Sequence, residues 1–369
     1  MALAPDHVPQ LGKLGLGVRV EAGAGAAAGW SDEAYGAAGA HVELDRRTLL
    51  SGADGVVKVR PPLAGGPDGH ESGQLAEDEV AILPEGAVIV SFLSPGASPD
   101  LVDRLAAKRI SAMAMERIPR TTRAQRMDAL SSQATAAGYR AALLAALHLP
   151  RFFPMLTTAA GTIRPARVIV LGAGVAGLQA ISTARRLGAF VQGYDIRAAA
   201  AEQVRSLGAT FLSEEEETRP EGAETAGGYA RALDQSESER QLAFLGRQLP
   251  SADVLITTAQ IPGRAAPQLV TREVVEAMRP GSVVVDVAAE TGGNCELSVP
   301  GETTVHNGVT ILAPTDLPSG VAQHASEMYG TNVVALLKHV TKDGALVLDP
   351  NDEIVGPVLV AHDGVKRDV

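Results

Sequence analysis

The chain has 369 residues, 46% of them hydrophobic and only 3% aromatic, so it is long enough for two cores, and those cores must be built from Ala, Val, Leu and Ile. A formal net charge of −11 argues against nucleic acid or an anionic membrane surface as direct partner, and a single cysteine, Cys295, excludes an internal disulfide and a thiolate metal cluster. No stretch offers about 18 uninterrupted apolar residues, and Met1–Asp6 has no basic region leading into an apolar core, so the expectation is a soluble, cytoplasmic chain without direct membrane insertion.

In the first third, Gly17–Glu21, Gly55–Val59, Ala87–Phe92 and Ile110–Met115 read as strands, with helices at Val8–Leu14, Ser31–Ala38 and Asp100–Lys108 between them. A long helical pattern covers Arg123–His148, broken only by Gly138. A second α/β layer begins at Arg167 and continues with strands at Phe190–Tyr194, Val254–Thr258, Ser282–Val287 and Thr310–Ala313. Ser326–Val340 is a second long helix, and beyond it Ala345–Leu348 and Ile354–Val360, around Asp349-Pro350-Asn351-Asp352, predict a terminal β-hairpin. The expected fold is α/β: two Rossmann-like doubly wound domains joined by two long helices, residues 1–125 with 326–369 forming one and 126–325 the other, with a ligand cleft between them.

The most informative stretch is Val168-Ile169-Val170-Leu171 running into Gly172-Ala173-Gly174-Val175-Ala176-Gly177, with helical periodicity from Leu178 to Leu187. Gly172 permits a sharp turn, Gly174 lets backbone N–H groups approach a pyrophosphate at the positive end of a helix, and Gly177 lets that helix pack on the sheet. A second strand, Phe190–Tyr194, then delivers Asp195 eighteen residues after Gly177. A carboxylate there can accept from both ribose hydroxyls of NAD, whereas a 2′-phosphate about 4 Å away would cost on the order of 1–4 kcal/mol, so NAD(H) is favoured. Arg197 could accept a 2′-phosphate, but the favoured reading is a solvated side chain leading into an Ala198–Ala201 helix. Between Glu214 and Arg240 lie nine acidic and three basic residues, an excursion longer than an ordinary loop. Thr257–Gln260 ends a strand where backbone groups can orient a nicotinamide carboxamide.

Five segments in order carry a family resemblance: Ile118-Pro119-Arg120 through Gln133; Gly172–Gly177 with Tyr194-Asp195-Ile196-Arg197; Glu224–Ala230; Thr257–Arg264; and Asp286–Asn294. Over nearly its whole length the chain resembles the NAD(H)-binding peripheral domain, α subunit, of proton-translocating NAD(P) transhydrogenase, a family related to alanine dehydrogenase. The resemblance implies that Arg120, Gln125, Asp128 and Ser131 hold the nicotinamide end. It further implies that Gly172, Ala173, Gly174, Val175, Ala176, Gly177, Asp195, Ile196, Arg197, Tyr229, Thr258, Ala259, Gln260 and Glu290 bind the cofactor, Tyr229 from a mobile loop that closes over it. The implied reaction is direct hydride transfer to NADP(H) held on a partner subunit, coupled to proton translocation by a membrane-spanning subunit, with a homodimer as the assembly. Read physically, Gln125, Asp128 and Ser131 are spaced by three and would share one helical face, with Arg120 before the first turn. The other reading of this segment is a capping box over Thr122-Arg123-Ala124-Gln125.

Alanine dehydrogenase is the rival activity, and a non-catalytic NAD-binding module is a third possibility. Deamination needs an acid–base group, and alanine dehydrogenases carry a histidine after the strand matching Val88–Phe92, where this chain has Leu93-Ser94-Pro95-Gly96. Glu290 stands where the dehydrogenase has Asp, and Lys58 is shared by both. Set against the family pattern, the first strand of the first domain is expected to be missing, because Met1 falls where the next segment is already under way.

Overall fold

Runs such as Val88-Ile89-Val90 and Val168-Ile169-Val170-Leu171 are apolar at every position because both faces of their sheets are covered. The computed structural model describes residues 1–63, 78–213, 230–261 and 264–367, which divide into Met1–Gln133 with Val321–Val369 as unit 1 and Ala134–Gly320 as unit 2.

Unit 1 contains strands β1 (Arg19–Glu21), β2 (His41–Glu43), β3 (Gly55–Val57), β4 (Val88–Ser91) and β5 (Ser111–Ala114). Its helices are α1 (Val8–Gly12), α2 (Asp32–Ala37), α3 (Arg46–Ser51), α4 (Glu79–Ile82), α5 (Pro99–Ala107) and the start of α6 (Ala129–His148). From the C-terminal segment come α11 (Ala322–Val340), α12 (Val355–Val358) and strands β15 (Thr341–Lys342), β16 (Ala345–Leu346), β17 (Leu359–His362) and β18 (Val365–Lys366). The five-stranded sheet runs β18-β17-β5-β4-β3, parallel through β3, β4 and β5 and extended by the antiparallel β17 and β18. Val88, Val90 and Met113 face the apolar side of α11, while Ile89, Ala112 and Ala114 face Leu101, Val102 and Leu105 of α5. Ala2, Leu3 and Ala4 are buried without joining a strand, and the Met1 amino group donates to Ser326 Oγ at 3.0 Å.

Unit 2 continues α6 and holds a hairpin, β6 (Leu156–Thr158) with β7 (Gly161–Ile163). The strands of its sheet are β8 (Arg167–Leu171), β9 (Phe190–Tyr194), β10 (Thr210–Phe211), β11 (Val254–Thr257), β12 (Val283–Asp286), β13 (Thr303–His306) and β14 (Val309–Leu312). Its helices are α7 (Val175–Arg186), α8 (Ala200–Ser206), α9 (Gln235–Gln248) and α10 (Arg272–Ala277). The order is β10-β9-β8-β11-β12-β14-β13, parallel except for β13 at the edge, so the chain reverses direction across the sheet between β8 and β11. Val168, Val170, Val254 and Ile256 pack on alanines of α6, α7 and α8; Ile169, Leu171, Leu255 and Val284 pack on Leu245, Val274 and Val275. This is the doubly wound arrangement, in which a ligand site lies at the carboxyl ends of the strands where the order reverses.

Several expectations need correction. The Gly17–Glu21 strand does not enter the main sheet of unit 1: among the described residues β1 pairs with β2 alone, in a separate parallel pair. The helix expected over Arg123–His148 starts at Ala129, because Gln125–Met127 form a 3-10 turn and Asp128 is non-helical (φ −71°, ψ 87°). The terminal hairpin does not form between Ala345–Leu348 and Ile354–Val360. Instead β15 pairs with β16, Val355–Val358 is helical, and β17 pairs with β5 and β18. The helix after Arg197 begins at Ala200 rather than Ala198.

Gly138, which in the sequence merely interrupts a helical pattern, has a packing role. A Cβ there would overlap the carbonyl oxygen of Ala176 in the first turn of α7, so α6 approaches that helix backbone to backbone. Gly138→Ala is therefore expected to destabilise the protein by about 1–3 kcal/mol through forced separation of α6 and α7, read from denaturant unfolding curves.

Candidate nucleotide-binding site

The turn after β8 is built from the backbone upward. Gly172 has φ 93° and its N–H donates to Tyr194 O at 2.8 Å, which bends the chain off the sheet. Gly174 is the extended N-cap of α7, and Leu178 N makes the first helical bond, to Gly174 O, leaving the N–H groups of Val175, Ala176 and Gly177 outside the ladder. A Cβ at Gly177 would overlap Gly172 O, and one at Gly172 would lie 2.8 Å from Thr258 Oγ1, so neither position admits a side chain. Beyond its two neighbours, no atom of the described residues lies within 4 Å of the Cβ position at Gly174. A helix N-terminus with open space beside it, on the switch point of a doubly wound sheet, fits the pyrophosphate of a dinucleotide.

Asp195 follows β9 and is buried. Its Oδ2 accepts from Ala173 N at 2.8 Å, which ties the second strand to the glycine turn. Arg197 is not the solvated side chain expected from sequence. Its Nε donates to Asp195 Oδ1 at 2.9 Å and its Nη2 to Oδ2 at 2.8 Å, while its backbone N–H also donates to Oδ1. A guanidinium fork matches a carboxylate two residues back once the intervening chain turns, and low exposure strengthens the pair. Ile196 packs against the apolar layer beneath.

Thr258 leaves β11 beside the same turn, its N–H donating to Leu171 O at 2.7 Å and its Oγ1 to Gly172 O at 3.1 Å. Ala259 is held on both backbone groups by one side chain, Asn294, which accepts from Ala259 N at 3.0 Å and donates to Ala259 O at 2.9 Å. Of the Thr257–Gln260 backbone groups expected to orient a carboxamide, those of Ala259 are thus already in use. Asn294 is anchored in turn by Asp286, a fully buried carboxylate that accepts from Thr257 Oγ1, Ala288 N, Asn294 N, Cys295 N and Ser298 Oγ at 2.7–3.1 Å. Sequence reasoning assigns neither Asp286 nor Asn294 a role. The usable signal is Gly292-Gly293, both at positive φ, which wrap the chain around the Asp286 carboxylate. Glu290 is exposed in the 3-10 turn Ala289–Thr291, and Gln260 is exposed at the strand exit. Burial pushes the Cys295 thiol up to about 11, which makes it unreactive. Tyr229, with the rest of Thr225–Tyr229, lies outside the described residues.

In unit 1, Arg120 and Gln125 are exposed, Gln125 in the 3-10 turn and Arg120 ahead of it, so Gln125, Asp128 and Ser131, expected on one helical face, do not share one. Asp128 is the N-cap of α6: its Oδ1 accepts from Ser131 N at 2.9 Å and its Oδ2 from Ser131 Oγ at 2.6 Å. A cap does form here, but at Asp128 rather than over Thr122–Gln125, because Asp128 is where the helix begins. Asn332 of α11 fixes the segment, donating to Arg126 O at 2.8 Å and accepting from Ser132 Oγ at 2.6 Å.

Comparison with known proteins agrees with this frame. Residues 1–137 match the N-terminal domain and residues 141–368 the C-terminal domain described as alanine dehydrogenase/PNT. The chain belongs to the alanine dehydrogenase/PNT family. It is 46% identical over 366 residues to an NAD(P) transhydrogenase subunit alpha polypeptide of Rhodospirillum rubrum, covering 99% of this chain and 93% of that one. The solved transhydrogenase from Sinorhizobium meliloti superposes with a TM-score of 0.86 at 40% identity, covering 99% of this chain and 95% of that one. A solved L-alanine dehydrogenase follows at 0.78 and 25%, covering 99% and 92%.

The turn after β4 is the one where the sequence offers no histidine. Here it is Leu93-Ser94-Pro95-Gly96, with Leu93 buried and Ser94 at φ 46°. The N–H groups of Leu93 and Ser94 both donate to Glu116 Oε1, and burial raises the Glu116 carboxyl above the usual carboxylate range. Lys58 does not project alone: its Nζ pairs with the buried Glu79, which Arg46 also contacts. In family terms this neighbourhood holds a lysine committed to a carboxylate and no histidine in the turn.

The cap at Asp128 makes a separable prediction. Asp128→Ala should cost about 1 kcal/mol through loss of the N-cap, whereas Asp128→Asn, itself a good cap, should stay within about 0.5 kcal/mol of the parent in denaturant titrations. Any larger effect of Asp128→Asn on nucleotide chemistry then reports its charge, not the helix.

Proposed function

We propose that this chain is the NAD(H)-binding component of an NAD(P) transhydrogenase. The observation that carries the reading is the Asp195 carboxylate, bonded to the glycine turn beside an open helix N-terminus. That arrangement supports Asp195 as an anionic ribose acceptor beside a pyrophosphate cradle. The Asp195 carboxylate supports NAD(H) over NADP(H), since a 2′-phosphate would bring like charge against it.

Bound NADH supplies a hydride from C4 of its dihydronicotinamide, two electrons and one proton as a unit, to C4 of the nicotinamide of NADP+ on a partner subunit. The chain's own residues have to bind and orient. Gly172–Gly177 cradle the pyrophosphate, Asp195 holds the adenosine ribose, and Arg120, Gln125, Asp128 and Ser131 hold the nicotinamide end. Thr258, Ala259, Gln260, Glu290 and Tyr229 complete the contacts. No acid–base step is needed, which agrees with a turn after β4 that offers no histidine. That turn is also what disfavours alanine dehydrogenase as the activity. Among the described residues no helix is long and apolar enough to cross a membrane. Proton translocation is assigned, as part of the proposal, to a membrane-spanning partner subunit with this chain on its cytoplasmic side. A second copy of this chain is the further proposed partner, supported by exposed Phe152, Met155 and Ile163 around the β6–β7 hairpin.

Two measurements test the reading. NADH is expected to bind more tightly than NADPH, and Asp195→Ser to narrow that gap by about tenfold or more in equilibrium titrations; an unchanged gap removes Asp195 as the ribose ligand. Rapid mixing with an NADP(H)-binding partner subunit should show hydride exchange that the chain alone lacks. Gln125→Ala or Asp128→Asn should slow the transfer more than they weaken NADH binding. Full exchange without any partner, or unaltered rates in both variants, would sink the assignment.

A further inference from the structure

The exit of β11 is held by Thr258 and by Asn294, and the functional reading does not use Asn294. Thr258 commits its N–H to Leu171 O and its hydroxyl to Gly172 O. Ala259 commits N–H and C=O to the Asn294 carboxamide, whose remaining N–H donates to Pro267 O at 2.7 Å. Asn294 is fully buried and spends its whole carboxamide on backbone, in a pairing like one rung of a β-ladder. Its own N–H is fixed by Asp286 Oδ2 at 2.9 Å. Among the described residues, Gln260 is the first of the exit whose amide and side chain are not committed to holding the strand end, and it is exposed.

We propose that Asn294 is a positioning residue for the nicotinamide end of the cofactor: by clamping Ala259 it presents Gln260, and the Gln260 polar groups read the nicotinamide carboxamide. The proposal deepens, and rests on, the nucleotide assignment made above. A backbone clamp of this kind suits the task because a carboxamide is a neutral donor–acceptor pair, best recognised by another neutral donor–acceptor pair held at fixed direction. Asn294 need not touch the ligand. Removing its side chain leaves the strand end free to rotate about Ala259, so the polar contact at Gln260 is lost while the pyrophosphate and adenosine contacts on Gly172–Gly177 and Asp195 remain.

The test compares two ligands by calorimetry on the full chain, NADH and ADP-ribose, the second lacking the nicotinamide. The readout is the ratio of their dissociation constants, which measures what the nicotinamide end contributes and requires no turnover. Asn294→Ala is expected to lower the NADH advantage by about tenfold, the equivalent of one lost polar contact, with ADP-ribose affinity within about twofold of the parent. Ser298→Ala, which removes one donor to Asp286 but leaves the Ala259 clamp, should keep the parent ratio. Gln260→Ala, at an exposed position, should reproduce the fall and decides the matter if Asn294→Ala does not fold. An unchanged ratio in Asn294→Ala or Gln260→Ala, or an equal fall in Ser298→Ala, overturns the proposal and leaves the nucleotide site standing. A parent chain that binds neither ligand, or NADH no better than ADP-ribose, overturns the assignment of the site itself and the proposal with it.

Discussion

The turn after β8 in unit 2 depends on main chain meeting main chain with no side chain between. Gly177 sits on Gly172 O, Gly172 sits against Thr258, and Gly138 of the neighbouring helix sits on Ala176 O. Each of these glycines costs about 0.5–1 kcal/mol of conformational entropy relative to alanine, which is offset only if close approach is worth more. What the approach gives is a helix start pinned from three directions, by its own strand, by the next strand and by α6. In the proposed function, amides aimed at the pyrophosphate then need no ordering when it arrives, so its binding free energy is not spent on the loop.

Close packing of this kind also explains the composition. With 3% aromatic residues, the layers between helix and sheet are filled by alanine, valine, leucine and isoleucine, and alanines at 137, 141, 142, 145, 180 and 184 let α6 and α7 lie near each other and the sheet. Small side chains bury less area each, so stability rests on many contacts and on both faces of each sheet being covered. The doubly covered strands follow as a consequence, and with them the uninterrupted apolar runs.

Those runs are why so much of the fold is legible in the sequence. Phe190–Tyr194 is a strand with the boundaries that its pattern predicts, and β8, β11, β12 and β14 differ from prediction by a residue or so at their ends. Where the pattern says less, the reason is non-local pairing. Thr210–Phe211 is a strand of two residues that exists because β9 is beside it, and Ile354–Val360 divides into a helical turn and a strand because β5 offers an antiparallel edge. Periodicity misplaces the start of α6 because the helical pattern extends back through Arg123, while the decision lies with Asp128, whose carboxylate caps the helix from a non-helical backbone. At the candidate site the glycines and Asp195 are legible, being motif positions with a local physical role. The Arg197 fork and the Asn294 clamp are not, because spacing along the chain does not reveal which way a side chain turns.

The two buried carboxylates at the ends of β9 and β12 show how differently a charge can be used. An ionised carboxylate removed from water costs several kcal/mol unless its lone pairs are filled, and a hydrogen bond to a charged group returns about 1.5–3 kcal/mol. Asp286 is satisfied entirely by neutral donors from five residues spread between positions 257 and 298, so it knits β11, β12 and the Gly292-Gly293 turn into one piece. Its oxygens are filled by donors that the fold already fixes, which makes Asp286 a poor ligand and a good foundation. Asp195 instead holds a flexible cation, Arg197, together with two backbone amides. A guanidinium on a long side chain can move aside while the amides stay, so Asp195 can exchange part of its solvation for ribose hydroxyls without disturbing the turn. In the proposed function the site therefore needs both kinds of carboxylate: one whose partners are fixed, to set the geometry, and one with a partner it can release, to meet the ligand.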